Sequence, residues 1–362
     1  LSLHDALPIS ALHEILDLCL SCKGCQTECP SGVDMGKLKA ETLQQSYLKN
    51  GVPLRTKLIG HFPTLQRYAS YISPLYNFCI EFPLTASFIK LAMGFSMERS
   101  LPTVQFTSLE KWFERYAKNH SQNGFKNGLV YLLADEFTNH NEVPLGKKTV
   151  KLLNHLGYGV AIPKGIVTGR SFISKGMLIE AKALANNNVE QLSTLISSEH
   201  PLIGIEPSAL LTFRDEIPAL VDADKRNQAE SLKPNCLLID EFIAREFKAG
   251  HITKDAFHGK KQNILLHGHC HQKSIAGLSS TRIALTIPSQ YEVELLPTGC
   301  CGMAGSFGYE KKHYKISQQI ANLVLFPRLL QKPLKSIIAS NGTSCRHQIK
   351  DGIEQTGYHT AE

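Results

Sequence analysis

The sequence predicts a mixed fold in which an all-α N-terminal part precedes an α/β part made of two βα repeats. Three observations predict it. Helical periodicity dominates residues 11–118, where no strand pattern stands out. From residue 126 onward, short β-rich runs alternate with helical runs, which is typical of a parallel α/β sheet. The order of these runs then occurs a second time along the chain.

The helical part is predicted over residues 11–120, beginning with helices at 11–18 and 34–48. Residues 1–10 start with leucine rather than methionine and look like translated sequencing-adapter sequence, so we expect a non-native leader there. In the segment 72–95, charges and prolines interrupt the apolar run, which argues against a transmembrane helix. The aromatic and aliphatic residues of 54–95 instead indicate amphipathic helices, either in the core or on a membrane or partner.

The α/β part is predicted over residues 126–362, with repeats at 126–225 and 260–362. Each repeat has a strand, a helix, a second strand, a short loop, a helix and a third strand. The loop and the end of the third strand are similarly spaced: Thr168 lies 41 residues before Ala209, and Cys301 lies 44 residues before Cys345. Of these corresponding positions, only those of the second repeat carry cysteines.

Composition narrows the class of protein. The 362 residues are 43% hydrophobic, which is ample for the cores of two or three globular domains. Most of the ten cysteines fall in tight or paired patterns and no secretory signal precedes them, so we expect metal ligation in a reducing, cytoplasmic compartment. The net charge of +7 is mild and the basic residues are scattered, which argues against nucleic-acid binding.

A run of four cysteines is the strongest functional signal. Cys19, Cys22, Cys25 and Cys29 have the C-x2-C-x2-C-x3-C-P spacing that holds a [4Fe-4S] cluster in bacterial-type ferredoxins. A structural zinc site is the alternative, although such sites usually pair two C-x2-C knuckles across a longer spacer. In two-cluster ferredoxins the fourth cysteine of each run ligates the other cluster, so Cys29 either closes the local cluster or binds one whose other ligands lie elsewhere.

Four further cysteines each follow a predicted strand of the second repeat: Cys270, Cys300, Cys301 and Cys345. Three histidines flank the first of them: His267, His269 and His271. The carboxyl ends of parallel strands meet at one edge of a sheet, so these cysteines can converge on one metal centre. The interpretations are an iron–sulfur cluster, a Cys/His zinc site, a vicinal disulfide between Cys300 and Cys301, or a dithiol redox pair.

The remaining candidates carry less information. Cys79 and Cys236 stand alone in apolar contexts that look helical, which predicts buried core thiols. Arg346 and His347 either offset the charge of a cluster or are simply solvated. The sequence contains no G-x-G-x-x-G motif, no P-loop and no Ser/His/Asp signature, so it does not support hydride transfer by a nucleotide bound to this chain.

The motifs together resemble a known family. The runs HCHQKS at His269, TGCCGMAGSFGYE at Thr298 and GTSCRHQI at Gly342 are similar to the cysteine-rich CCG domain. That domain occurs in one component of heterodisulfide reductase, in the glycolate oxidase iron–sulfur subunit and in one component of anaerobic glycerol-3-phosphate dehydrogenase. LCLSCKGCQTECP and IEPSALLTFRDE also resemble the C-terminal half of fused FAD-linked oxidases, similar to bacterial D-2-hydroxyglutarate and D-lactate dehydrogenases. The resemblance covers nearly all of residues 11–362.

The resemblance implies an α-helical ferredoxin domain and a two-repeat CCG domain, acting as the electron-transfer module of a flavin-dependent 2-hydroxy-acid dehydrogenase. It implies one [4Fe-4S] cluster at the first motif and a second cluster if the CCG residues hold one. An FAD-binding domain outside this chain would oxidise the hydroxy acid, and a quinone or another carrier would accept the electrons. It also allows a homo-oligomer and peripheral contact with the inner face of the membrane. The cluster-ligand role falls on eight cysteines: Cys19, Cys22, Cys25, Cys29, Cys270, Cys300, Cys301 and Cys345.

The sequence departs from the fullest CCG pattern in two places. The first repeat has Val167 and Thr168 where the cysteine pair would stand and Ala209 in place of the last cysteine, so we expect no cluster there. In the second repeat, Gly342 replaces the first cysteine of the terminal C-x2-C, which leaves four cysteines instead of five. Two other functions stay open: thiol–disulfide chemistry at the Cys300–Cys301 pair, and a zinc-stabilised, non-enzymatic docking module.

Overall fold

The computed structural model describes residues 9–257, 259–333 and 335–362. Residues 1–8 of the expected leader therefore lie outside the described residues, and residues 9 and 10 begin the first helix.

The N-terminal part is helical, as its periodicity predicts. Asp34 starts the longest of its helices, because its side-chain oxygen accepts hydrogen bonds from the backbone N–H groups of Gly36 and Lys37. Prolines in the first turn begin three others. The helices of the described residues up to 119 are α1 (Ile9–Asp17), α2 (Gly24–Glu28), α3 (Met35–Asn50), α4 (Leu54–Gly60), α5 (Phe62–Tyr71), α6 (Ser73–Glu81), α7 (Pro83–Met93) and α8 (Leu109–Asn119).

A first parallel sheet follows. Its strands are β1 (Leu129–Leu132), β2 (Gly159–Ala161), β3 (Leu202–Gly204) and β4 (Cys236–Leu238), in the spatial order β2-β1-β3-β4. The connecting helices are α9 (Glu136–His140), α10 (Val143–His155), α11 (Arg170–Ser174), α12 (Leu178–Leu192), α13 (Pro207–Leu210), α14 (Ile217–Leu220), α15 (Arg226–Leu232) and α16 (Ile239–Lys248).

The second sheet is also parallel. Its strands are β5 (Gln262–Leu266), β6 (Tyr291–Leu295), β7 (Ile337–Ala339) and β8 (Gly357–Tyr358), in the order β6-β5-β7-β8. Its helices are α17 (Cys270–Ile275), α18 (Ser279–Thr286), α19 (Tyr314–Leu323), α20 (Leu325–Leu330) and α21 (Thr343–Ile353). Short 3-10 turns complete the described chain at Leu211–Phe213, Ala223–Lys225, Lys233–Asn235, Lys254–Ala256 and Phe307–Tyr309.

The two sheets share one strand order, which is what two copies of one chain topology would produce. In each, the first strand of the unit pairs with both the second and the third, so the carboxyl ends of three neighbouring strands lie along one edge. The fourth strands, β4 and β8, are additional to the pattern read from the sequence. They have three and two residues, which is too short for a periodic signal.

Buried apolar side chains join the helical part and the two sheets. The core of the first sheet includes Leu109 and Phe113 of α8, which ties the helical part to that sheet. The same cluster contains Ile287 and Ala361 from the region of the second sheet. A separate core around Met303 and Phe326 lies against the second sheet. The sheets and the helices between them therefore pack through shared apolar surface as well as through polar contacts.

The helices α4 to α7 leave many large apolar side chains at the surface. Exposed examples are Leu54, Leu65, Tyr68, Tyr71, Ile72, Leu75, Phe78, Phe82, Leu84, Phe88 and Leu91. Many of the aromatic and aliphatic residues of 54–95 are thus exposed at the surface rather than packed in a core. None of the helices in the described ranges has the length and apolarity needed to cross a bilayer.

The two isolated cysteines differ from their prediction. Cys236 is fully buried, but it begins strand β4 rather than lying in a helix. Its neighbours in that strand are leucines, whose apolar run suits a buried parallel strand equally well. Cys79 does lie in α6, but it is half-buried rather than part of the core.

We predict that Arg99→Leu destabilises the fold by about 3–5 kcal/mol, because the change removes a buried cation from its carboxylate and breaks the hydrogen bonds that it donates. Arg99 is completely buried and donates to the Gly308 carbonyl oxygen at 2.8 Å and to Ser317 Oγ at 2.9 Å. It also lies 3.7 Å from a carboxylate oxygen of Asp351. The measurement is the free energy of unfolding in urea.

The control is Arg115→Leu, at an exposed position of α8, with an expected effect within about 0.5 kcal/mol. Equal stabilities of the two variants would show that the contacts of Arg99 with Gly308 and Ser317, which follow the second strand of the second sheet, do not stabilise the fold.

Candidate metal centre

The first cysteine run forms a tightly turned loop between α1 and α3. Ser21 and Lys23 have φ values of 50° and 66°, so the backbone turns sharply between successive cysteines. The Cys19 sulfur accepts a hydrogen bond from the N–H of Ser21 at 3.4 Å. The Cys25 sulfur accepts one from the N–H of Met35, at the start of α3, at 3.3 Å. Backbone donors directed at sulfur favour a negatively charged thiolate group or cluster.

The loop brings three of its four cysteines into one electrostatic group. Burial raises the pKa of Cys22 above its ordinary value, and the charges of Cys270, Cys19 and Cys25 raise it further. Cys29 lies in a different environment and is partly exposed. Backbone N–H groups of Val33, Ser31 and Gly32 lower its pKa: Cys29 is a thiol stabilised in its charged form by its own turn.

The second group forms at the carboxyl edge of the second sheet. Cys270 begins α17 after β5, the Cys300–Cys301 pair follows β6, and Cys345 lies in the first turn of α21 after β7. Thiol contacts connect Cys270 to Cys300, Cys300 to Cys301, and Cys301 to Cys345. The structure therefore brings together all four cysteines that the sequence assigned to this edge. In the described residues all ten cysteines are free thiols.

Burial makes this second group suited to a metal. Cys301 and Cys345 are 3% and 1% exposed. The contact with Cys300, together with burial, raises the pKa of Cys270 well above its ordinary value. A raised pKa favours the protonated thiol at Cys270, and a thiophilic metal would displace that proton on binding. The donor set of four clustered sulfurs fits an iron–sulfur cluster or a zinc ion.

The glycine after the cysteine pair is required by the geometry. Gly302 has a φ of +87°, and a Cβ added there would lie 2.3 Å from the backbone oxygen of Ser317. Its N–H donates to the Cys300 sulfur at 3.4 Å. Only a residue without a side chain lets the loop pass this close to α19 while directing the two cysteines inward.

The three histidines of this edge have three different environments. His267 is fully buried, its Nδ1 lies 2.6 Å from Thr298 Oγ1, and burial lowers its pKa to about 3. His269 packs against Gly342, where a Cβ would lie 2.3 Å from the ring. Nε2 of His271 lies 2.9 Å from the Ser21 carbonyl oxygen. The sequence alone did not distinguish the three histidines. Their different partners in the structure do.

His269 explains why position 342 carries no side chain in this chain. Its ring fills the space that a cysteine side chain at Gly342 would need. Burial lowers the pKa of His269, although the charge of Glu206 opposes this effect. The second group therefore contains four cysteines, and the imidazole of His269 occupies the space that the side chain of a fifth cysteine at position 342 would need.

The two basic residues after Cys345 pair with other groups of the protein rather than being simply solvated. Arg346 donates to both carboxylate oxygens of Glu142 at 2.6 Å and to the carbonyl oxygens of Ser340 and Asn341. His347 lies 3.1 Å from the Asp351 carboxylate. Arg346 thus links the second repeat to the first.

The corresponding edge of the first sheet carries oxygen groups instead of thiols. Thr168 donates its N–H and its hydroxyl to Glu136 Oε1, at 2.8 and 2.7 Å. Asp135 caps α9, and burial raises its pKa to about 8. Ala209 is buried in α13. These polar side chains are satisfied by hydrogen bonds within the first unit.

The two cysteine groups adjoin. Helix α2 packs against α17, where His271 holds the Ser21 carbonyl oxygen, and Cys270 is close enough to Cys22 for its charge to raise the pKa of Cys22. Cys270 is at the same time in contact with Cys300. One series of neighbouring thiols therefore runs from the N-terminal loop to the edge of the second sheet.

A buried ion network holds the loop in place. The Lys23 ammonium lies 2.8 Å from Asp34, 2.7 Å from Asp215 and 3.0 Å from Glu216, and its side chain is 2% exposed. Burial opposes the charged form, but Glu216 and the other carboxylates raise the pKa of Lys23. Lys37 adds a second contact to Asp215 at 2.5 Å. The loop is therefore fastened to the first α/β unit by charge.

A second set of metal-type side chains is an ion network. Asp17, Glu310 and His313 have oxygen and nitrogen atoms within 4.8 Å of one another. Lys312 lies 2.5 Å from Asp17, and Lys175 lies 3.0 Å from Glu310. Because cations already neutralise these carboxylates, their proximity is explained without a metal.

Comparisons with known proteins agree with the resemblance. No family model matches the chain. Over 356 residues, 95% of the chain, it is 25% identical to D-2-hydroxyglutarate dehydrogenase of Escherichia coli strain K12 and covers 33% of that protein. The counterpart of Pantoea ananatis is 24% identical over 349 residues, 93% of the chain and 32% of that protein. One component of the anaerobic glycerol-3-phosphate dehydrogenase of Escherichia coli strain K12 is 24% identical over 324 residues, 89% of the chain and 78% of that protein.

These relatives confirm the resemblance predicted from the motifs, and their names are those of dehydrogenases, which are oxidoreductases. The chain spans about a third of the length of the D-2-hydroxyglutarate dehydrogenases it matches.

We predict that Gly302→Ala is markedly more destabilising than Gly305→Ala in the same loop. Both glycines have positive φ, which costs an alanine about 1–2 kcal/mol, but a Cβ at Gly305 meets nothing within 4 Å. The clash with the Ser317 oxygen adds about 1–3 kcal/mol at Gly302. Urea unfolding of the two metal-free variants measures the difference. Equal losses would show that the loop has room for a side chain.

We predict that Lys23→Met costs about 3–5 kcal/mol of stability at neutral pH, since it leaves buried carboxylates without their shared cation. The pKa of Lys23 is raised and that of Asp215 is lowered, so the network is charged at that pH. Lys164→Met is the matched control: this lysine also pairs with a carboxylate, Glu114, at 2.5 Å, but it is 73% exposed.

The control should change stability little, because solvent screens an exposed ion pair. Thermal unfolding curves compare the two variants, and a Lys23 variant as stable as the control would refute the anchoring role.

Proposed function

We propose that this chain is an iron–sulfur electron-transfer module of a flavin-dependent 2-hydroxy-acid dehydrogenase. The observation that carries the proposal is the junction between the two cysteine groups: Nε2 of His271, the residue after Cys270, lies 2.9 Å from the carbonyl oxygen of Ser21, the residue before Cys22. Two thiol groups this close can hold redox centres between which electrons pass. In this proposal residues 11–120 form the ferredoxin domain, and residues 126–225 and 260–362 form the two CCG repeats.

The proposed ligands are the eight cysteines assigned from the sequence. When bound, iron–sulfur clusters supply one-electron transfer. The chain itself holds the sulfurs, excludes water from Cys301 and Cys345, and directs N–H groups at the sulfurs of Cys25 and Cys300. Hydrogen bonds to the sulfurs and burial are the means by which a protein sets a cluster's potential.

Cys29 has a distinct place in the proposal. Its turn stabilises a thiolate at a partly exposed position, away from the group that raises the pKa of Cys22. These properties of Cys29 agree with the pairing rule of two-cluster ferredoxins, in which the fourth cysteine of a run ligates a neighbouring cluster. A fourth sulfur for the local centre would then come from elsewhere, and Cys270 is the neighbouring thiol.

The proposed partners follow from the relatives. The chain aligns with about a third of the D-2-hydroxyglutarate dehydrogenases, and another relative is named as a subunit of a larger enzyme. An FAD-binding domain outside this chain would therefore deliver the electrons, and a quinone or another carrier would accept them. The exposed apolar side chains of α4 to α7 are suited to contact with a partner, a second copy or the inner face of the membrane. The proposed location is cytoplasmic.

A zinc-holding centre is the second candidate, and one observation favours it. The ligand atoms of His267, Cys301 and Cys345 all lie within 4.8 Å of one another. In a tetrahedral site with Zn–S bonds of about 2.3 Å, two sulfurs are about 3.8 Å apart, so a single ion requires only a small contraction. Metal analysis separates this candidate from a cluster.

We predict that the chain, reconstituted anaerobically with iron and sulfide, binds roughly four irons at the first group and up to about twice that with the second. Dithionite should then produce a rhombic EPR signal. Cys22→Ser should remove the irons of the first group, and Cys345→Ser those of the second. Cys79→Ser is the control, because this half-buried thiol lies outside both groups and should leave the iron content unchanged.

If metal analysis found stoichiometric zinc and the protein showed no redox-active absorbance, a zinc-stabilised docking module would be favoured over an electron-transfer module. If Cys300→Ser abolished reduction of a disulfide substrate while the iron content stayed constant, thiol chemistry would be favoured instead.

A further inference from the structure

Two buried imidazole nitrogens beside the second cysteine group, Nε2 of His267 and Nδ1 of His269, have no hydrogen-bond partner among the described residues. His267 directly follows β5, and its backbone N–H donates to the Ala339 carbonyl oxygen at 2.9 Å, which continues the ladder between β5 and β7. Its side chain is completely buried. The position of the ring is therefore set by the sheet rather than by a mobile loop.

The two ring nitrogens of His267 are in unlike environments. Nδ1 lies 2.6 Å from Thr298 Oγ1, whereas Nε2 has no hydrogen-bond partner among the described residues. The ring also belongs to a compact set with the sulfurs of Cys301 and Cys345, whose ligand atoms lie within 4.8 Å of one another. A buried polar atom without a partner costs free energy, so an unpaired Nε2 on a ring beside two thiols calls for an explanation.

Among the histidines of this edge, only His267 is grouped with the sulfurs of Cys301 and Cys345 in the described residues. The His271 ring is engaged by the Ser21 carbonyl oxygen, and the His269 ring lies over Gly342. His359 is equally buried, yet Nε2 lies 3.1 Å from the Ile205 carbonyl oxygen and Nδ1 accepts the Ala361 N–H at 3.0 Å. Unpaired nitrogens also occur on the buried rings of His140 and His269, so His267 is distinguished by its grouping with the sulfurs of Cys301 and Cys345.

We propose that His267 is a ligand, through Nε2, of the metal centre that Cys301 and Cys345 help to hold. This inference rests on the proposed function only in requiring a metal at the second cysteine group. Thr298 acts as the positioning residue: by accepting a hydrogen bond from Nδ1–H it holds the proton on Nδ1 and leaves the Nε2 lone pair available to a metal beside the sulfurs. A hydrogen bond from the other ring nitrogen is the usual support of a metal-binding histidine.

The ligand changes the chemistry of the site. A neutral imidazole in place of a thiolate makes the centre less negative, so an iron–sulfur cluster there is reduced at a higher potential than an all-cysteine one. In a zinc centre, three sulfurs and one nitrogen form a closed structural site. Both metals are thiophilic ions that accept mixed sulfur and imidazole ligation, and the first step of the test distinguishes them.

The decisive measurement uses the unaltered full chain. If metal analysis finds iron, pulsed EPR of the reduced protein, prepared with and without ¹⁵N-labelled histidine, should show a strongly coupled nitrogen that changes with the label. If it finds zinc, X-ray absorption at the zinc edge should require a nitrogen at about 2.0–2.1 Å besides sulfur at about 2.3 Å. Purely sulfur ligation of a bound second centre would overturn the inference.

Variants provide an independent readout. His267→Ala should lose the second-centre metal, whereas His267→Cys should retain it, without the nitrogen coupling and with a more negative reduction potential if the metal is iron. Thr298→Val should weaken metal binding by roughly 10–100-fold, as loss of a supporting hydrogen bond does. His359→Gln is the matched control for a buried imidazole and should leave metal content and spectra unchanged.

The outcomes separate this inference from the proposed function. A chain that binds no metal at either group refutes both. A chain whose first group binds iron normally, and whose second centre is retained in His267→Ala with unchanged spectra, refutes the role of His267 alone.

Discussion

The buried ammonium of Lys23 is the interaction on which the candidate centre depends. It lies within the first cysteine run, yet two of its carboxylate partners, Asp215 and Glu216, belong to the first α/β unit. A loop of turned backbone has little apolar surface with which to hold itself in place. Three carboxylates around one cation supply the attachment, and they set Cys22 beside Cys270. The runs LCLSCKGCQTECP and IEPSALLTFRDE, far apart in sequence, meet in this network.

Parallel strand topology supplies the other half of the geometry. Because β5 pairs with both β6 and β7, the three loops that carry the second cysteine group leave the sheet at the same edge. The first sheet has the same order but presents Thr168, Glu136 and Asp135, which hydrogen-bond to nearby side chains and backbone. The Arg346–Glu142 pair and the bond from the Thr343 N–H to Glu206 then join the two units. One topology thus serves as a thiol site in one copy and as a polar scaffold in the other.

The electrostatics of the second cysteine group favour occupation by a metal. The pKa values of Cys270 and Cys301 are raised, because each thiol contacts other thiols and is buried away from water. A bound metal removes that penalty and replaces several protons. The surroundings add a fixed donor from the backbone of Gly302 and the unpaired Nε2 of His267. The close approach of Gly302 to α19 and the backbone bond of His267 to β7 fix the positions of these two groups.

Local sequence pattern was enough to establish the order of helical and α/β parts, the strands that lead to each cysteine of the second group, and both cysteine groups. Helical periodicity, short apolar runs and spacing within a loop can be read without knowing what they pack against. The resemblance to iron–sulfur dehydrogenase modules was accessible for the same reason, since it depends on short motifs. The edge strands β4 and β8 were not predicted, because a run of two or three residues is too short to show a period.

Which residues meet was settled at the tertiary level. Lys23 pairs with carboxylates that follow it by about 190 residues, and Ser21 contacts His271 across about 250 residues, so no spacing rule could reveal either contact. Three histidines alternating along HGHCH look equivalent in sequence. Their strand register and the neighbouring loops direct one toward Thr298 and the sulfurs, one over Gly342 and one to the Ser21 carbonyl oxygen. The chemistry of each ring is set by these long-range partners, and for this reason the structure was needed to separate them.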